Sequence, residues 1–186
     1  LIYMQADVTL LTLLKGSEAA GVYSPASGLI NALFIIPTTL FFVIVPPLSN
    51  QYLHHQNRLR SSIIKITLGF LGLGIVLALG VGLTGGWIIR LLLGAKYAVT
   101  SILLVTLSPL LFFKSLGFGW AAFLVAVGWQ KQRLIPQVVS AVANVLFNLW
   151  AIPRLGVAGV AVVYVATEII LAAGYAGLVI HWHRHQ

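Results

Sequence analysis

The sequence predicts an all-α polytopic membrane protein, a bundle of six transmembrane helices, and three observations predict it. Of 186 residues, 60% are apolar and only 8% are charged. The apolar residues fall into long blocks, and residues 63–83, 99–113 and 157–180 each approach or exceed the roughly 20 needed to cross a ~30 Å hydrocarbon core. Between the blocks lie turn formers and most of the cations. A soluble domain of this length could not cover so much apolar side chain with so few polar ones.

The elements follow in order. Helix 1 is residues 1–14, about 21 Å long at 1.5 Å per residue, and stops at Lys15-Gly16-Ser17-Glu18. It is too short to cross upright and opens with Leu1 inside an apolar run. The reading is therefore a chain cut within its first helix, a single six-helix lobe forming the C-terminal half of a longer protein. Helix 2 covers 23–45, with a kink expected near Thr38 from Pro37 and a stop at Pro46-Pro47, because proline removes a backbone donor and clashes with the preceding turn. A polar loop is expected over 49–62. Helix 3 covers 63–83 and ends at Gly85-Gly86. Residues 87–97 read as a short interfacial segment with an aromatic at each end. Helix 4 covers 99–127, helix 5 covers 134–152 up to Pro153, and helix 6 covers 157–180.

The formal charge of +8 points to lipid headgroups and not to nucleic acid, since the cations sit between apolar blocks, where the positive-inside bias collects them. Arg58, Arg60, Lys65, Lys131, Arg133 and Arg184 fall on one side of the bilayer, and Lys15, Arg90, Lys96 and Arg154 on the other. The richer side is expected to be cytoplasmic, with the C-terminal tail, in a cell inner membrane. There is no cysteine, which removes disulfides and thiolate metal or redox sites. His54, His55, His181, His183 and His185 lack a carboxylate or thiolate partner in their segments and read as surface histidines; no metal and no cofactor is expected. Nucleophile-elbow, zinc-protease and phosphate-loop patterns are missing, as are carboxylates paired at helical spacing. An enzyme is not expected.

Polar side chains on apolar helices carry the functional signal. At 100° per residue, Gln137, Ser140, Asn144 and Asn148 fall within about 80° of one another on helix 5. Ser24, Ser27, Asn31 and Thr38 form a similar stripe on helix 2. Such stripes turn from lipid toward protein, as hydrogen-bonding glue, or toward a water-filled cavity. On helix 3, Gly69, Gly72 and Gly80 align as a packing face, and on helix 4 Ser101, Ser108, Ser115, Gly119 and Ala122 form a small-residue seam. Three ionisable groups lie within spans: Asp7, Lys114 and Glu168. Each costs about 2.5–3.5 kcal/mol at mid-bilayer on insertion scales. Helices 4 and 6 run the same way, so Lys114 and Glu168 lie at similar depth and can form an ion pair; alternatively one or both face a cavity, where Lys114 would meet an anionic substrate group. Tyr164 and Tyr175 flank Glu168 on its face. Asp7 stands opposite Gln5, Thr9 and Thr12, so one of those two faces must meet something other than the protein interior.

The segments Gln5-Ala6-Asp7-Val8, Gly16-Ser17-Glu18-Ala19-Ala20-Gly21-Val22-Tyr23-Ser24 and Pro46-Pro47-Leu48-Ser49 resemble a recurring pattern of polysaccharide flippases. So do Leu93-Gly94-Ala95-Lys96-Tyr97, Asn144-Val145-Leu146-Phe147-Asn148 and the junction from Ile152-Pro153 to Val160-Ala161. The match covers nearly the whole chain, in order. The family belongs to the multidrug/oligosaccharidyl-lipid/polysaccharide exporter superfamily. The resemblance implies two six-helix lobes around a cavity that alternates between membrane faces, the present chain being the second lobe. It implies as partners a lipid bilayer, a lipid-linked glycan and a first lobe. The family often carries Arg where Gln5 stands here, which leaves Lys114 as the candidate for meeting a pyrophosphate. Asn31, Gln137, Asn144 and Asn148 are then the candidates for sugar contacts, with Asp7 and Glu168 as further cavity candidates. The rivals are a cation-coupled multidrug antiporter lobe, a membrane glycosyltransferase or polymerase, and a non-transporting scaffold.

Overall fold

The computed structural model describes residues 2–54 and 56–184, with the side chains of 2–6, 56–58 and 95 left aside. The expectations placed on Gln5, His55, the Arg58 side chain and His185 fall outside the described residues. The rest is helical: α1 (Ile2–Lys15), α2 (Ser17–Leu33), α3 (Ile35–His54), α4 (Gln56–Leu93), a 3-10 turn (Ala95–Tyr97), α5 (Ala98–Leu107), α6 (Pro109–Ala126) and α7 (Gln130–Arg184). Four stretches are long and apolar enough to cross a membrane: Ser17–His54, Leu59–Leu93, Ala98–Ala126 and Gln130–Arg184. The all-α class and the membrane-spanning character stand as expected.

Several boundaries differ from those expected, each for a local reason. The break between α2 and α3 comes at Phe34, ahead of Thr38. Pro37 has no N–H and its ring opposes the carbonyl four residues earlier, so the ladder is interrupted on that side of the proline. Phe34 N–H shares the carbonyls of Ile30 and Asn31, and the Thr38 hydroxyl donates to the Phe34 carbonyl at 2.7 Å. Pro46-Pro47 does not end the helix, which continues to His54. Proline's fixed φ is itself helical, and Leu48, buried in the bundle, keeps the following turn docked.

The expected loop over 49–62 is instead two helix ends. Ser62 donates to the Gln51 side chain at 2.6 Å, and the apolar face continues through Leu48, Leu59 and Ile63. Gly85-Gly86 does not end α4 either, and 87–93 continues the helix instead of forming a separate interfacial segment. Those glycines serve close packing: a Cβ on Gly85 would meet Leu104 at 3.1 Å, and one on Gly86 the Ser101 hydroxyl at 3.2 Å. The helix stops at Gly94, whose φ of 88° only glycine adopts without strain. The expected helix 4 is divided at Ser108, where Pro109 has no N–H to give. Val105 carbonyl accepts instead from the Ser108 hydroxyl at 2.8 Å.

The small-residue seam on the expected helix 4 packs as read, but the glycine face of its partner is a different one. Gly69, Gly72 and Gly80 have open space where a Cβ would be. A Cβ on Gly74 would instead meet the Phe112 backbone at 3.0 Å and one on Gly82 the Ser108 hydroxyl at 3.4 Å, and Gly119 receives the Phe70 ring. Antiparallel pairing of α4 with α5 and α6 therefore runs along Phe70, Gly74, Val81 and Gly85, all buried.

α7 is a hairpin. Gly156 takes φ 59° and ψ −137°, and the arms 130–155 and 157–184 fold back on one another. Ser140 donates to the Thr167 carbonyl at 2.7 Å, and a Cβ on Gly174 would lie 2.7 Å from Pro136. In a straight helix those pairs would be roughly 40 and 57 Å apart.

Two apolar cores result. One gathers Leu11, Tyr23, Ile30, Leu104, Leu111 and Tyr164. The other gathers Leu48, Leu59, Phe123, Leu171, Tyr175 and Trp182. At one end Lys15 donates to the Pro153 carbonyl at 3.3 Å and Thr100 to the Val22 carbonyl at 2.9 Å. At the other, Trp182 meets Tyr52 and Phe123, and His181 meets Trp129. The two sets of cations thus stand at opposite ends of the bundle.

Candidate functional site

The buried polar groups form two clusters joined by one turn of the second arm of α7. In the first, Lys114 of α6 lies 3.2 Å from the Glu168 carboxylate and donates to the Tyr164 hydroxyl at 3.2 Å. Lys114 is 7% exposed and Glu168 2%. The ammonium also stands 4.6 Å from the Phe34 ring centroid and 5.2 Å from that of Tyr164. The break at Phe34 therefore has a consequence for the site, since it brings an aromatic face over a buried cation. A charge taken out of water needs such partners, because desolvation costs several kcal/mol per ion and only close geometry offsets it.

The second cluster is built by helices distant in sequence. Asn148 donates to the Asp7 carboxylate at 2.8 Å and to the Asn144 side-chain oxygen at 3.2 Å. Asn144 in turn approaches the Thr167 hydroxyl at 3.4 Å. Asp7 is 1% exposed and both asparagines are fully buried. Thr167 precedes Glu168, and its hydroxyl donates to the carbonyls of Val163 and Tyr164. The same turn thus carries Tyr164 and Glu168 toward Lys114 and Thr167 toward Asn144. Three buried oxygens here have no hydrogen-bond partner: one Asp7 carboxylate oxygen, the Tyr23 hydroxyl and the Asn148 side-chain oxygen. Rich in oxygen acceptors around one carboxyl group, the cluster suits a proton or a hard cation, not an anion.

A groove of about 730 Å³ opens between α3, α6 and the two arms of α7. Lys114 and Glu168 line it, together with Gln137, Tyr175, Thr38, Arg133, Phe41, Phe42 and Phe118. The ion pair and the cavity, weighed as alternatives from sequence, coexist: Lys114 and Glu168 pair and both face the groove.

The helix 5 stripe divides. Gln137 faces the groove, while Ser140, Asn144 and Asn148 bond other helices. On the helix 2 stripe, Ser24, Ser27 and Thr38 return their hydroxyls to carbonyls of their own helical run. Asn31 is half-buried, with its side-chain oxygen unpartnered, and does not line the groove. Asp7 turns its face to the protein and Thr9 and Thr12 turn outward, with the Thr12 hydroxyl returned to the Val8 carbonyl.

Sequence reasoning missed Arg133, Thr167, Tyr23 and Phe34. Arg133 counted only as a basic residue near a turn, and its distance of four residues from Gln137, one helical turn, was the available signal. Thr167 adjoins Glu168 on a buried face, a cue that went unused. Among the described residues no group of three or more His, Asp or Glu side chains is placed to hold a metal; His181 and His183 lie against Trp129 and Phe123. No family model, curated protein or solved structure matches the chain.

Proposed function

We propose that the chain is one lobe of a transporter that moves a lipid-linked oligosaccharide outward across the inner membrane. Its six crossings are α1, the α2–α3 run, α4, the α5–α6 run and the two arms of α7. A first lobe of similar construction faces it, and the Trp129–Trp182 end lies in the cytoplasm. The hydrocarbon tail stays in lipid while glycan and phosphates cross between the lobes. The protein makes and breaks no covalent bond; it lowers the cost of carrying polar groups through a medium that otherwise excludes them.

The observation that supports this reading most is the Lys114–Glu168 pair, buried in an apolar bundle yet lining an open groove. A pair needed only for packing is often replaceable by apolar residues without loss of stability, and intramembrane charges facing a cavity usually mark a transport path. The resemblance of the ordered segments to polysaccharide flippases supplies the substrate class.

The test is flipping of a fluorescent lipid-linked glycan by the full chain, with its first lobe, in proteoliposomes. Lys114→Met is expected to abolish flipping and Lys114→Arg to retain part of it. Normal flipping by a folded Lys114→Met protein would overturn the reading. A second reading, a cation-coupled multidrug antiporter lobe, is favoured by the unpartnered oxygens around Asp7. It requires drug efflux driven by a sodium or proton gradient and no glycan flipping.

A further inference from the structure

We infer that Arg133 is the loading contact for the pyrophosphate of the lipid-linked substrate, with the isoprenoid chain lying in the groove between α3, α6 and α7. The inference rests on the flippase reading and adds to it a residue and a place of first binding.

The chain has three side-chain carboxylates. Asp7 is bonded to Asn148, Glu168 is paired with Lys114, and Glu18 lies in the first turn of α2 at the opposite end. None serves Arg133. Its Nε is buried without a hydrogen-bond partner, and its guanidinium carbon stands 6.0 Å from the Phe41 ring centroid. Guanidinium presents five donors in a planar fork that matches phosphate oxygens. Among the described residues no carboxylate serves this arginine, and a guanidinium held so in a groove is arranged to take an anion from outside.

Arg133 lies in the first turn of α7, next to the Gly128-Trp129 turn, at the end where headgroups and interfacial aromatics meet. Lys114 is twelve residues back from Ala126, roughly 18 Å along α6. The groove therefore runs from a cation at the membrane surface to a paired cation near mid-depth. Between them its walls are largely apolar, formed by Phe41, Phe42, Phe118, Leu134, Val138 and Leu171. A free phosphate gains nothing from such walls, whereas a phosphate carried on a hydrocarbon chain uses both. Bilayer phospholipids share that chemistry, but their headgroups have no need of a path toward Lys114. A substrate whose headgroup must leave the surface does. The reaction that supplies it is transfer of a sugar 1-phosphate from a nucleoside diphosphate sugar onto a polyprenyl phosphate carrier at the same membrane face: a carrier phosphate oxygen attacks the sugar-bearing phosphorus, the donor's P–O–P bond breaks and nucleoside monophosphate leaves.

The full chain in nanodiscs of zwitterionic lipid tests this with a fluorescent polyprenyl pyrophosphate as probe. Arg133→Gln is expected to bind about tenfold more weakly, the size of a lost charge-assisted contact, and Arg133→Lys to fall between. Val138→Trp, which narrows the groove and leaves the arginine in the sequence, is expected to weaken binding as well, so a folding defect in one variant does not decide the matter. Inorganic pyrophosphate and phosphatidylglycerol are expected to compete poorly. Unchanged affinity in both Arg133→Gln and Val138→Trp overturns the inference, and so does equal competition by phosphatidylglycerol, which would make the groove a general lipid site. Probe binding that depends on Arg133 without any glycan flipping would refute the transport reading and leave the site standing. Flipping with binding independent of Arg133 would do the reverse.

Discussion

Lys114 and Glu168, 54 residues apart in the chain, meet at 3.2 Å on the wall of a groove. Their contact ties α6 to the second arm of α7 at a depth where neither charge is tolerated alone. Lys114→Met is therefore expected to destabilise the folded protein by about 3–5 kcal/mol, the cost of leaving a buried charge without its partner. The double variant Lys114→Met/Glu168→Leu is expected to recover most of that loss, because apolar replacement of both members relieves desolvation. Thermal unfolding in detergent measures the stabilities, and glycan flipping should stay low in the stable double variant. Recovery of flipping together with stability would make the pair purely structural.

Asp7 and Asn148 make the second long-range contact, at 2.8 Å across 141 residues. Asn148→Leu removes the donor and leaves the buried carboxylate with one partner fewer, so a loss of about 1–3 kcal/mol is expected. Asp7→Asn keeps the shape and can still accept from Asn148; it is expected to be better tolerated than Asn148→Leu. Urea or thermal melts of the two variants rank them, and the opposite ranking would mean that the charge at Asp7 matters to the fold more than the hydrogen bond.

Glycine positions on α4 allow a paired comparison within one helix. Gly74→Val would press against the Phe112 backbone, 3.0 Å from its first added carbon, and overpacking of this kind costs about 1–3 kcal/mol. Gly72 faces open space, so Gly72→Ala is expected to be neutral or to stabilise by about 0.4–1 kcal/mol through the unfolded chain. Equal melting temperatures for Gly74→Val and the parent protein would overturn the α4–α6 packing described above.

These sites differ in how far the sequence revealed them. The Lys114–Glu168 pair was legible because two ionisable groups at matched depth on helices running the same way have few other partners. The serine seam was legible because a seven-residue spacing returns to one face of a helix. The glycine face was not, since Gly69, Gly72, Gly74, Gly80 and Gly82 populate several faces and only the partner's position selects among them. Helix boundaries failed where proline or glycine was read as a stop: Pro46-Pro47 and Gly85-Gly86 are held in helix by tertiary packing that local preference does not encode. The Asp7–Asn148 contact and the placement of Arg133 in the groove depend on how the α7 hairpin closes against α1 and α3, which no spacing along the chain records.

The direction in which the bundle is inserted follows from the cations at its two ends. Lys15 and Arg154 share one end with Arg90 and Lys96, while Arg60, Lys65, Lys131, Arg133 and Arg184 gather at the other, where Arg58 also falls in the sequence. The difference in cation number is small, and orientation follows Lys and Arg only where loops are short, as they are here. Ser17 and Gln130 are exposed at opposite ends and suit single-cysteine reporters, because the parent chain has no cysteine to interfere. With a membrane-impermeant maleimide, Ser17→Cys is expected to label in intact cells whose outer barrier has been opened, and Gln130→Cys only in inverted vesicles. Labelling of both from one side would remove the six-crossing arrangement. Labelling from opposite sides but in the reverse sense would keep the crossings and turn the groove mouth at Arg133 outward, away from the face where a lipid-linked glycan is assembled.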